Sequence, residues 1–599
     1  MSTVVPPRAG DDRLVSRIFV PYATGYWRGV TAVQAWALVI ALGVAVFLSI
    51  GANFGFSMWN RWFFDALEQK DYGKLGWSLL ALVGIGFGWV AVDVIVVLTR
   101  ETTQVRWRAW FTAKVMNEWL GHQRFYHLNA AGKDESTVPE YRIADDIRWA
   151  TEPILDFYIG LLGAAFSIAS FFSILWFVGG SITVGSGDYA ITIPGYMAVA
   201  GAVHSLGITA LMMYCGRALP RNMAARNEAE ANFRLSLMRV RENSDSIAST
   251  HGEAGERAIL WRGLDSWVKR WMIVVRQDGQ LTWIQKSNGV IMAAAPLLLA
   301  CPKYMTGEIS LGAMMQLASA YIPFQTSIAW AFDNYRALSV WHASARRVAG
   351  LIRSMRDLDA DLDHPDRSAI DFGRSDDGRI HVSALTVTDR QGRPLVAEAD
   401  LTAEPGERLL LTGESGTGKS ALVRAIAGLW PWGKGSVRLP RDARVSFIPQ
   451  RAYLPLGSLR DVLRYPLDRL DADDGAIVSA LVRCGIGELA PRLDTVERWD
   501  QRLSNGERQR LAFCGLILQR PAIVVLDDAL AALDRENQAA LMTMLREILP
   551  KTTILSVAQH GGTDRYYDRV MILIKSEGGA RLQNKPPTDR VAVLHRAGD

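Results

Sequence analysis

The chain has 599 residues, 49% apolar and 21% charged, with 66 basic against 61 acidic side chains for a net charge of +5. Those averages exclude a disordered chain and a collagen-like repeat, and the length exceeds what one core serves, so two or more domains are expected. A near-balanced charge with no concentrated basic stripe argues against a nucleic-acid partner, and Cys215, Cys301, Cys484 and Cys514 are too scattered for a disulfide framework or a zinc site.

In chain order, residues 1–28 carry Arg8, Arg13, Arg17 and Arg28 and read as a cytoplasmic N-terminal segment. Residues 29–60 then contain no Asp, Glu, Lys, Arg or His, where a membrane span needs only about 20 apolar residues. Further runs free of Asp, Glu, Lys and Arg cover 75–92, 157–187, 189–216, 287–302 and 309–332. Six helical spans between residues 29 and 345 are expected, in contact with membrane lipid. Connections after spans one, three and five are short, and those after spans two and four are long and polar. With a cytoplasmic start, both long connections fall on the cytoplasmic side. Residues 134–147 and about 228–245 are the segments expected to transmit motion to the spans.

Carboxylates along this half are candidates for contact with cargo. Asp93 interrupts span two and Asp156 opens span three; such groups are costly in a membrane and tend to line cavities. Asp65, Glu68 and Asp71, on the first external connection, would form a negative mouth that attracts cationic cargo. The competing reading places Asp156 and Asp333 at the interface, paired with Arg148 and Arg336. His204, inside span four, is expected to hydrogen-bond between helices.

After Arg353 the composition turns polar. Residues 346–378, with Asp357, Asp359, Asp361, Asp363 and Asp366, read as an acidic linker, and residues 379–575 as an α/β domain. There a buried strand over 407–412 runs into Gly413, Glu414, Ser415, Gly416, Thr417, Gly418, Lys419 and Ser420, a complete Walker A pattern in its strand-to-helix context. The glycines let backbone amides wrap phosphates, Lys419 reaches the terminal phosphates and Ser420 binds Mg²⁺, so ATP and Mg²⁺ are the expected cofactors. A second apolar strand, 522–526, ends in Asp527, a Mg²⁺ ligand, and Asp528, which faces the attacking water. Residues 576–599 lack core periodicity and read as a flexible tail.

The segment Leu503, Ser504, Asn505, Gly506, Glu507 resembles the signature loop of ABC-type ATPases, whose common form is LSGGQ. Gln450 resembles the Q-loop glutamine (a further Mg²⁺ ligand), Asp534 the D-loop aspartate and His560 the switch histidine, all in family order. The resemblance implies an exporter-type half-transporter: an all-α six-helix transmembrane domain followed by an α/β P-loop domain. It implies Lys419, Gln450, Asp528 and His560 as the hydrolytic set. It also implies a homodimer, because the signature loop of one copy completes the Walker A site of the other. Two departures stand out. The residue after the Walker B aspartate is usually Glu and here is Asp528, which predicts slow hydrolysis. No aromatic residue lies near Val387–Arg390 to stack on adenine.

Gly428–Gly435, Pro449–Leu456 and Trp499 resemble the branch that holds the BacA/SbmA-related peptide transporters, the mycobacterial transporter of cobalamin and hydrophilic compounds, and the peroxisomal acyl-CoA transporters. That resemblance implies import of cationic, antimicrobial-type peptides across a bacterial inner membrane. A lipid, acyl-CoA or cobalamin transporter is the alternative within the class. A nucleotide-gated receptor or scaffold, with hydrolysis weakened at Asp528, is the alternative outside it.

Overall fold

In the computed structural model, residues 14–130, 139–184, 191–362, 368–389, 391–441, 443–467, 472–531, 533–558 and 564–585 are described. The chain divides into two compact units, the first ending at Ser354 and the second running from Met355 and also holding residues 127–132.

The first unit is helical. Its long elements are α1 (Ala32–Glu68), α2 (Tyr72–Leu120), α3 (Ile147–Phe177), α4 (Tyr196–Gly216), α5 (Leu219–Glu242), α6 (Glu253–Met305), α7 (Leu311–Asp333) and α8 (Tyr335–Leu362). The charge-free runs 75–92 and 287–302 lie wholly inside longer helices, and the other four extend past an end of α1, α3, α4 or α7. With 53 residues, α6 is roughly 80 Å long at about 1.5 Å per residue, well over the ~30 Å hydrocarbon layer, so its polar part stands outside the membrane. Among the described residues, five helices are long and apolar enough to cross. The sixth expected span is α7, a 23-residue helix whose mean hydropathy is lowered by Gln316, Gln325 and several hydroxyls. It nonetheless packs against α1, α3, α4 and α6. Its Tyr321 hydroxyl lies 3.1 Å from His204 Nδ1 on α4, the inter-helix hydrogen bond expected for that histidine. Between α3 and α4 an antiparallel hairpin joins β1 (Ser181–Val184) to β2 (Ile191–Pro194).

The arginine-rich N-terminus is more than a topological signal. Short helical turns over Val15–Trp27 bury Phe19, Tyr22 and Tyr26 against α2. Phe19 meets Phe111 edge-on at 5.7 Å, Trp107 Nε1 donates to the Ala23 carbonyl at 3.0 Å, and Lys114 Nζ sits 3.7 Å over the Tyr22 ring. The aromatic run at Trp107–Phe111 is thus committed to a packed elbow.

In the second unit, β6 (Arg408–Gly413) lies in a six-stranded sheet ordered β14-β13-β6-β12-β11-β8. Its other members are β8 (Val445–Ile448), β11 (Ile523–Asp527), β12 (Thr553–Val557), β13 (Arg569–Ile574) and β14 (Arg581–Asn584). All its pairings but β13–β14 are parallel. Every residue of β11 and β12 is buried, as expected for central strands of a parallel sheet covered on both faces. A second sheet, ordered β3-β7-β4-β5, contains β3 (Ser368–Ser375), β4 (Ile380–Thr388), β5 (Pro394–Ala403) and β7 (Gly433–Pro440).

Two boundaries differ from the sequence reading. The segment 346–378 is not an open linker: α8 continues to Leu362, burying Val348, Leu351, Ile352, Met355 and Leu358, and β3 begins at Ser368. Asp357, Asp359 and Asp361 lie on this helix, whose apolar positions carry the helical period, and Asp363 and Asp366 lie outside the described residues. The tail is structured as far as Lys585, because β14 pairs antiparallel with β13 and Ala580 is buried; residues 586–599 lie outside the described residues. Trp499 is 1% exposed, and its Nε1 donates to the Gly457 carbonyl at 3.2 Å where β9 (Gly457–Ser458) pairs with β10 (Val496–Glu497). Trp499→Ala is expected to destabilise the second unit by about 3–5 kcal/mol, read as a lowered midpoint in chemical denaturation.

Candidate functional site: a phosphate-binding loop and its partners

The Walker A loop leaves the C-terminal end of β6 and enters α9 (Lys419–Ile426). Its shape requires glycine: Gly413, Gly416 and Gly418 have φ of +146°, +80° and +88°, and a Cβ on Gly413 would lie 2.6 Å from the Leu573 carbonyl oxygen. Glu414, Ser415 and Gly416 are exposed at the crest, and Thr417 is buried and donates to the Glu414 carbonyl at 2.9 Å. Lys419 Nζ donates to the Gly413 and Glu414 carbonyls at 2.7 Å each. Burial draws the Lys419 pKa below its ordinary value, against the opposing pull of Asp528 and Asp527.

Strand order places Walker A and Walker B one strand apart, with β12 between β6 and β11. There Ser420 Oγ donates to Asp527 Oδ1 at 2.9 Å. Two hard oxygen ligands converging at the edge of a phosphate loop fit Mg²⁺, which takes few protein ligands and shares its shell with phosphate. Arg424, whose Nη2 is 3.3 Å from Asp527 Oδ2, escaped the sequence reading. It lies one helical turn beyond Ser420, and that i,i+4 spacing was the available signal. Asp528 stands at φ +53°, with its N–H donating to the Val557 carbonyl at 3.2 Å.

The signature segment starts helix α10 (Asn505–Gln519) with Ser504 as N-cap. Ser504 Oγ accepts from the Glu507 N–H at 3.3 Å, and Glu507 Oε2 accepts from the Ser504 N–H at 2.7 Å, a capping box. Hydrogen bonds from the Ser504 hydroxyl and N–H hold the Glu507 carboxyl below its ordinary range. Exposed Asn505 and half-buried Gly506 form the first turn, whose N-terminal amides make a site that favours an anion. Gln509, 2% exposed, donates to the Gln450 carbonyl at 2.7 Å. It therefore ties the signature helix to the backbone of the Q-loop, a link that no spacing rule predicts. The Gln450 side chain is exposed. Asp534 caps α11 (Arg535–Ile548) through the Asn537 N–H at 2.8 Å. His560 lies outside the described residues.

Models of two families match the chain in order: ABC transporter transmembrane region 2 over residues 29–305 and ABC transporter over residues 396–531. An uncharacterised ABC transporter ATP-binding protein of Synechocystis is 30% identical over 558 residues, 91% of this chain and 81% of the relative. The chain belongs to the ABC transporters. The inner membrane ABC transporter ATP-binding protein YddA of Escherichia coli is 26% identical over 84% of this chain and 88% of its own. The human lysosomal cobalamin transporter ABCD4 is 32% identical over 34% of each chain. A solved bacterial Atm1-family ABC exporter with ATP bound superposes with a TM-score of 0.66 over 94% of this chain and 96% of its own, at 16% identity. The fold is accordingly a helical transmembrane domain of the ABC exporter type followed by an α/β nucleotide-binding domain. The protein is an ATPase coupled to transport, using ATP with Mg²⁺.

In this ABC transporter the carboxylates expected to meet cargo are largely engaged elsewhere. Asp65 Oδ1 accepts from the Gly312 N–H and Glu68 Oε2 from the Leu311 N–H, each at 3.0 Å. They cap the N-terminus of α7, where unpaired amides and the helix dipole favour negative charge. Asp71 caps α2 through the N–H groups of Gly73 and Lys74. The negative mouth is thus a set of helix caps. Asp156 Oδ1 accepts from Gln104 Nε2 at 2.9 Å and lies 3.7 Å from Arg100 Nε, so its basic neighbour is Arg100, while Arg148 pairs with Glu152 at 3.1 Å. Asp93 accepts from Ser49 Oγ at 2.6 Å, linking α1 and α2. Of these five carboxylates, Asp93 alone has neither a basic nor a backbone partner among the described residues.

Proposed function

We propose that the chain is half of a homodimeric importer in a bacterial inner membrane, with its N-terminus and ATPase domain cytoplasmic, that admits cationic amphipathic peptides. The observation carrying the dimer is that one chain holds one Walker A loop and one signature helix. The signature amides of one copy would then face the phosphates held by Lys419 of the other. In this reading Ser420, Gln450 and Asp527 hold Mg²⁺, Asp528 orients the attacking water, and His560 contacts the terminal phosphate. The peptide reading draws on the branch resemblance and on Asp93, exposed within α2 where a carboxylate is costly. The inner-membrane placement draws on the N-terminal arginines and on the name of the Escherichia coli relative.

A second reading, cobalamin or acyl-type cargo, is favoured by the engagement of Asp65, Glu68 and Asp156 and by the likeness to the lysosomal cobalamin transporter. Uptake of a cationic peptide, cobalamin and acyl-CoA into vesicles, with ATP on the ATPase-domain face, separates the two. Peptide accumulation that falls with Asp93→Asn is the expected result. ATP-driven uptake of cobalamin or acyl-CoA, with no peptide uptake, would replace the first reading by the second.

A further inference from the structure

Among the described residues, the least exposed carboxylate of the transmembrane unit belongs to neither the nucleotide site nor the cargo set. Asp146, at 0% side-chain exposure, is held by two guanidiniums. Arg347 makes a two-pronged contact, Nε to Oδ2 at 2.9 Å and Nη2 to Oδ1 at 2.5 Å, and Arg142 Nη1 donates to Oδ2 at 2.7 Å. Ser344 Oγ in turn accepts from Arg347 Nη2 at 2.8 Å. Asp146 closes a π-helical turn, Arg142–Asp146, that runs directly into α3. Such wide turns are uncommon and concentrate at functional sites.

We propose that Asp146 is a positioning residue that makes α3 move with α8 during the ATP cycle. A buried ion pair is a poor device for stability alone, since apolar packing of the same volume serves as well. It does supply a directional joint that resists sliding, because a bidentate arginine fixes orientation as well as distance. The placement suits that use. Arg347 and Met355 share helix α8 about two turns apart, and Met355 is where the nucleotide-binding unit begins. A displacement of the second unit along α8 therefore reaches Arg347, then Asp146, then the start of α3, which leads to the β1–β2 hairpin at its far end. A second tie, from Trp341 Nε1 to the Ala150 carbonyl at 2.9 Å, is a single neutral bond and steadies the same pair of helices without fixing their angle.

The test uses full-length protein in lipid nanodiscs with Cys215 and Cys301 replaced by serine and Ser181→Cys introduced on the hairpin. Its labelling rate by a membrane-impermeant maleimide is measured with and without ATP and vanadate, alongside ATPase rate and melting temperature. With Asp146 and Arg347 intact, the labelling rate is expected to change by about fivefold or more on trapping. In Arg347→Gln that change is expected to vanish while ATPase stays within about threefold. Arg347→Lys, which keeps the charge and loses the fork, is expected to recover part of the response. An undiminished response in Arg347→Gln would overturn the proposal. So would parallel loss of ATPase and melting temperature in both variants, which would make the pair purely structural.

Discussion

Asp528→Glu is expected to raise the ATP turnover of the purified transporter by up to about 10²-fold, and Asp528→Asn to abolish it. The first effect follows from reach: the aspartate is one methylene shorter than the glutamate usual in ABC transporters, and a misplacement of about 1 Å in a catalytic group costs roughly 10²-fold. The backbone pulls the other way. Asp528 sits at φ +53°, held by its N–H to Val557 and by its carbonyl, which accepts from the Ala531 N–H at 3.1 Å. Aspartate tolerates this left-handed conformation better than glutamate does. That preference acts on stability, at about 1 kcal/mol or less, whereas reach acts on the barrier, so the rate effect dominates. Steady-state phosphate release from the three proteins checks this. Turnover that is unchanged or lowered in Asp528→Glu would mean that the left-handed turn already delivers the carboxylate to the water. No hydrolysis by the unaltered protein, with activity appearing only in Asp528→Glu, would favour the nucleotide-gated scaffold.

Lys419→Ala is expected to lower hydrolysis by about 10³-fold or more, because a single preorganised donor at a developing charge is already worth roughly 10²–10³-fold and Lys419 adds a full charge. The same substitution should leave the fold intact. The loop conformation is set by its glycines and by the Thr417 bond to Glu414, and Lys419 contributes two bonds to carbonyls already at the loop surface. Circular dichroism unchanged beside a lost rate is the expected pattern.

How much of this was legible in the chain depends on the range of the interaction concerned. Walker A, Walker B, the signature segment and the D-loop are local patterns, and each sits where its spacing placed it, at strand ends and helix starts. The charge-free runs identify the spans because lipid imposes a composition on every residue of a helix. Roles set by distant partners were not legible. Asp65 and Glu68 look like a negative mouth when counted as charges, yet their acceptors serve amides more than two hundred residues away in α7. Asp146 and Arg347 are also about two hundred residues apart, and nothing local marks either as buried. The acidic segment after Arg353 misled for a different reason. Five aspartates within ten residues suggested a turn-prone linker, while the i, i+3, i+4 apolar positions from Val348 to Leu358 kept the helix going. The edge strand β14 was hidden because an exposed four-residue strand needs no alternation to pair.

The central claim is that each hydrolytic site is shared between two copies of the chain, and mixed dimers test it most directly. One dimer combines a Lys419→Ala copy with a Ser504→Arg copy. The other combines an unaltered copy with a copy carrying both substitutions. With shared sites, the first dimer keeps one intact site, formed by the unaltered Walker A loop of one copy and the unaltered signature of the other, and hydrolyses ATP. The second keeps none and is inactive. The reverse outcome, activity in the second dimer and none in the first, would show that each chain completes its own site and would contradict the account.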